Sequence, residues 1–86
     1  MIEKAIIEYL KKEYDYETRI LVKEVKQMTE NYELMVTYAG CEAKKMLEDI
    51  LDKEDLLNQL ARLGLEEVNW DEVGEGILNN YKEEWQ

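Results

Sequence analysis

The apolar positions of the chain change period along its length. From Ile2 to Tyr14 they fall at Ile2, Ile6, Tyr9 and Leu10, with Ile7 and Tyr14 at the margins, which is one face of a helix. Lys4 with Glu8, and Glu8 with Lys12, stand four residues apart on the outer side and support it. The pattern then shifts. In Tyr32–Tyr38, Tyr32, Leu34, Val36 and Tyr38 alternate with Glu33, Met35 and Thr37, the period-two signature of a strand with one buried face. Thr18–Lys26 is rich in β-branched residues but runs Ile20, Leu21, Val22 consecutively, and Leu21, Val25 and Met28 would also share a helix face. Beside the cleaner alternation downstream, the segment reads as the partner strand. The tip Met28–Asn31 supplies Asn31, which tolerates the left-handed region. Tyr16–Tyr38 is thus expected to form a two-stranded antiparallel hairpin around which helices must pack, since a lone hairpin is marginal in water.

After Ala39–Gly40 the helical period returns. Ala43, Met46, Leu47, Ile50 and Leu51 form one stripe, and Leu56, Leu57, Leu60 and Leu63 form another. Asp52 is placed to cap a restart, and Gly64 to end it. Whether 41–63 is one kinked helix or two is left open by the pattern. The last element has the sharpest start: Asn69 as N-cap, Glu72 three residues on to complete a capping box, and Val68 with Val73 as a hydrophobic staple. Its stripe is Trp70, Val73, Ile77, Tyr81 and Trp85. Gly74 and Gly76 each cost a helix about 1 kcal/mol relative to Ala, which close approach of another backbone would offset. The expected fold is α+β: an N-terminal helix, the hairpin, then two or three packed α-helices, in a single domain of 86 residues.

Charge changes the picture more than composition does. The formal net charge is −10, from 11 Lys and Arg against 21 Asp and Glu. Residues 1–30 carry 6 basic and 7 acidic side chains, and residues 31–86 carry 5 and 14, so the excess lies almost wholly in the second part. Such a balance repels nucleic acid and anionic lipid and favours a basic partner. No apolar run is long enough to span a membrane, and the N-terminus carries no signal-peptide pattern. With a single cysteine, Cys41, these features point to the cytoplasm.

Recognised chemistry is sparse. There is no His to serve as a base for Cys41, which is expected to be a small buried or half-buried residue. Asp49, Asp52, Glu54 and Asp55 lack the order of a calcium loop, and Gly74-Glu75-Gly76 puts an acid where a phosphate would sit. Neither a catalytic residue nor a metal ligand nor a cofactor site is assigned. Asp71 and Glu72 suit the first turn of the last helix, where the helix dipole favours negative charge. Glu83 and Glu84, near its C-terminal end, and Glu66, Glu67 and Glu75 have no sequence-local explanation.

The reading that uses them is a small acidic binding protein that inhibits, one to one, a basic protein that handles nucleic acid. Carboxylates three or four residues apart on a helix lie about 5–6 Å apart, on the scale of phosphate spacing. The contact residues would be Glu66, Glu67, Asp71, Glu72, Glu75, Glu83 and Glu84, with Trp85 as an aromatic anchor. In size and charge this is analogous to the anti-CRISPR and anti-restriction proteins of phage and mobile elements. The alternative is an adaptor that works through apolar helix contacts, as a homodimer or complex subunit, using Leu56–Leu65 and the Gly74/Gly76 helix. The plainest reading of the acids is a solvated face that keeps a small protein in solution.

Overall fold

The computed structural model describes residues 2–52 and 64–86. They form four α-helices, α1 (Ile2–Glu13), α2 (Asp15–Met28), α3 (Tyr32–Asp52) and α4 (Trp70–Asn80), followed by a short 3₁₀ turn, Lys82–Glu84. Among the described residues there is no strand, so the expected hairpin, and with it the α+β class, is replaced by a helical bundle.

The correction has a legible cause. In α2 the buried side chains are Thr18, Leu21, Val22 and Val25, spaced three, four and seven residues from the first. That is a helix stripe, with Ile20 left on the outer side. Thr18 is accommodated in it because its hydroxyl donates to the Tyr14 carbonyl at 2.7 Å, so no polar atom is left unpaired. In the second presumed strand, Met35 was placed on the polar side. It is instead the core residue at 1% exposure, whereas Tyr32 and Leu34 are 41% and 44% exposed. From Met35 the stripe runs Ala39, Ala43 and Leu47, a strict four-residue step down one helix face. The alternation of Tyr32, Leu34, Val36 and Tyr38 was a coincidence of seven residues inside a helix of 21.

The tip is likewise a helix boundary. Thr29 is extended, its hydroxyl accepts from the Asn31 backbone N–H at 3.0 Å, and Asn31 Oδ1 accepts from the Leu34 N–H at 3.1 Å. Asn31 is therefore the N-cap of α3, and among the described residues no backbone adopts positive φ. Asp15–Glu17, expected to lead into a strand, form the acidic first turn of α2.

Gly64, expected to end a helix in the left-handed region, is helical and has no positive φ, whereas other expectations hold at least in part. The helix over Ile2–Tyr14 is α1, which buries Ile6 and Leu10, although Ile2 and Tyr9 stay largely exposed. α3 runs unbroken through Cys41 to Asp52; the proposed restart and the Leu56–Leu63 stripe lie outside the described residues. Asn69 caps α4, its side chain accepting from the Glu72 N–H at 3.1 Å, and Val68 and Val73 are both buried. The Asn69 N–H, which a capping box assigns to Glu72, donates instead to Glu3 of α1 at 3.0 Å. That bond holds the Glu3 carboxyl below its ordinary range.

The main seam is α3 against α4. An added Cβ on Gly40 would lie 2.2 Å from the Trp70 carbonyl oxygen, and one on Gly74 would lie 2.2 Å from that of Val36. Each glycine admits the other helix's backbone, which is the compensation the sequence required at Gly74. Gly76 faces the Ile7 side chain of α1 instead. One core joins Leu10, Val22, Val25, Met35, Val73, Ile77, Leu78 and Tyr81 across all four helices.

Candidate functional site

The acidic residues singled out by sequence fall into three groups. The first is built by the α3–α4 seam. Asp71 and Glu75 stand four apart on α4, and the glycine crossing brings their helix against the first turns of α3. The groove between them, about 500 Å³, is lined by Tyr32, Glu33, Val36, Thr37, Asp71 and Glu75. An adjoining depression of about 270 Å³ is lined by Val36, Asn69, Asp71, Glu72 and Glu75. Four carboxylates thus surround a short apolar strip, and among the described residues neither lining includes a Lys or Arg. Glu33 belongs to this group but was not singled out, because a strand pattern gave it no relation to α4. Among the described residues no three His, Cys, Asp or Glu side chains form a metal-binding group.

The second group serves the fold. Arg19 of α2 donates from Nε to Asp15 at 3.1 Å, and from one terminal nitrogen to Glu83 at 3.1 Å and Glu84 at 3.0 Å. Lys23 lies 3.4 Å from the other Glu84 oxygen. Glu84 is only 14% exposed, so its charge is spent inside the molecule, while Glu83 at 58% keeps one side in solvent. The Arg19 guanidinium also lies 5.2 Å from the ring centre of Tyr81, whose hydroxyl donates to Asp15 at 2.8 Å. Together these contacts strap the 3₁₀ turn to α2. Burial, and then the bond to Asp15, push the Tyr81 phenol well above its ordinary value, and the same hydrogen bond, followed by that from Arg19, pulls Asp15 down.

Trp85 continues the strap. Its indole N–H donates to the Leu78 carbonyl at 2.8 Å, its ring centre is 5.6 Å from that of Tyr32, and it packs on the core as a half-buried residue. Through Tyr32 it borders the acidic groove. The third group is Glu66 and Glu67, in the turn before α4. Glu66 lies 3.6 Å from Lys44 of α3, and both acids are exposed.

Of the seven acids, three line the grooves. Asp71, Glu72 and Glu75 are brought together, Glu66 and Glu67 lie before them, and Glu83 and Glu84 are held by Arg19. The contacts of Arg19 with Glu83 and Glu84, and of Tyr81 with Asp15, are not legible in the sequence, since a contact across more than sixty residues leaves no local spacing. Cys41 is exposed on α3, contrary to the buried or half-buried position expected. The perturbed groups Glu3, Asp15 and Arg19 are explained by structural hydrogen bonds and Tyr81 by burial and then its bond to Asp15, and none of the four is among the lining residues of the acidic groove. No helix among the described residues is long and apolar enough to cross a membrane. Comparison with known protein families, with curated proteins and with solved structures finds no match.

Proposed function

We propose that the chain is a small acidic binding protein that docks stoichiometrically on a basic partner, one that handles nucleic acid, in a cytoplasmic setting. The observation that supports this is the wall of Glu33, Asp71, Glu72 and Glu75 around the α3–α4 groove, which has no Lys or Arg among its described lining residues. Among the described residues seven bridges tie cations to carboxylates, and none of them involves these four. The helix dipole accounts for Asp71 and Glu72 in the first turn of α4 and Glu33 in that of α3, but not for Glu75. Held on two rigid helices, the four charges offer a fixed array to Lys and Arg side chains, as a nucleic-acid backbone does. Association would be fast and salt-sensitive.

The contact set contracts accordingly. Asp71, Glu72 and Glu75, with Glu33 added, carry the interaction; Glu66 and Glu67 extend it; Glu83, Glu84 and Trp85 maintain the end of α4 beside it. The test is charge reversal. Replacing Asp71, Glu72 and Glu75 by Lys should abolish capture of the basic partner with helical circular dichroism unchanged. Glu83→Gln should leave capture in place. Capture that survives the triple reversal would refute the assignment.

A further inference from the structure

A second groove, between α2 and α3, has a different chemistry. It encloses about 320 Å³ and is lined by Glu17, Ile20, Leu21 and Glu24 of α2 and by Glu42, Lys45, Met46 and Asp49 of α3. The floor is apolar: Leu21 is buried, Met46 is half-buried against the core, and Ile20 is 37% exposed. The acids are ordered about that floor. On α2, Glu17 and Glu24 lie three residues before and four after Ile20. On α3, Glu42 and Asp49 lie four before and three after Met46. Each wall therefore carries two carboxylates two turns apart, about 10 Å along the helix axis, with the apolar floor midway. Lys45, the one cation among the described lining residues, lies 3.5 Å from Glu42. Among the described lining residues, four acids against one cation leave a net of −3.

We infer that this groove is a docking site for a basic amphipathic helix of a partner protein. Its apolar residues would cover Ile20 and Met46, and Lys or Arg one turn to either side would meet the paired carboxylates. The charge of the rim selects that occupant. An acidic or neutral apolar helix would leave desolvated carboxylates unpaired, and a polar basic segment would leave the floor exposed. The inference uses none of the residues of the α3–α4 groove and stands or falls apart from the reading given above.

The probe is a fluorescein-labelled, Ala-based helical peptide of about 15 residues. It carries two Leu on one face with Lys one turn before and after them. Its control has the same composition with the Lys moved to the opposite face. Fluorescence anisotropy at about 0.15 M salt screens the bulk charge of the protein. The matched peptide is expected to bind about tenfold tighter than the control, with the intact chain as receptor. Ile20→Asp, and separately Glu17→Lys with Asp49→Lys, should each weaken it about tenfold, and Glu33→Lys with Asp71→Lys should change it by less than about threefold. Equal binding of the two peptides, or binding indifferent to both α2–α3 variants, would overturn the inference. If Ile20→Asp loses its helical circular dichroism, the surface double reversal alone decides.

Discussion

Tyr81 ties the end of α4 to α2 through one side chain. Its ring is in the core, its face meets Arg19, and its hydroxyl donates to Asp15 at 2.8 Å. The folded phenol is held above its ordinary value of 10.0, so the native state keeps a proton that the unfolded chain gives up. The resulting stability is complete below pH 10 and declines as the pH rises above it. Asp15 behaves in the opposite sense. Its folded carboxyl lies below 3.8, and the stability it brings is present above that pH and lost as pH falls through the lowered native value. Tyr81→Phe should therefore lose about 1 kcal/mol at pH 7 and also shed part of the alkaline decline. Urea midpoints at pH 7 and above pH 10 would check both; a variant whose deficit is unchanged above pH 10 would show that the phenol proton is not linked to folding.

Among elements, the α3–α4 crossing decides the most, because it sets the width of the acidic groove. Gly74→Ala puts a methyl against the Val36 carbonyl, and Gly40→Ala puts one against that of Trp70. Backbone cannot step aside, so each should cost about 3 kcal/mol. Gly76→Ala meets the tip of the Ile7 side chain, which can rotate, and Ala favours the helix. Its midpoint should stay within about 1 kcal/mol of the parent. Thermal denaturation of the three variants measures the contrast, and equal losses at Gly74 and Gly76 would contradict the close crossing.

These glycines also show how far the elements were legible. Gly74 announced a close backbone, and Asn69 with Val68 and Val73 announced α4, because caps and staples are local chemistry. α2 and α3 were misread because β-branched and aromatic content is a weak preference that tertiary packing overrides. Seven residues of alternation cannot outvote a stripe running from Met35 to Leu47. Counting Met35 as polar hid that stripe, and reading Asn31 as a turn residue hid a cap. The same error concealed Glu33 as a neighbour of Asp71 and Glu75. Glu83 and Glu84 were recognised as unexplained, but their partner Arg19 is more than sixty residues away and no sequence spacing reports it.

At the scale of the whole molecule, a net charge of −10 is distributed unevenly in its consequences. Part is neutralised where Arg19 and Lys23 hold the 3₁₀ turn, and part remains on the α3–α4 wall. The central proposal is that this remainder is a recognition surface rather than a solubilising coat. The measurement that tests it most directly is capture from a bacterial lysate on the immobilised protein. It would be run in parallel with the Asp71→Lys, Glu72→Lys, Glu75→Lys variant, at low and at high salt, and with a DNA oligonucleotide as competitor. A basic nucleic-acid-handling protein should be retained in equal stoichiometry at low salt, released by high salt and by the oligonucleotide, and absent from the variant. A partner that resists salt, ignores the oligonucleotide and binds the variant equally well would contradict it.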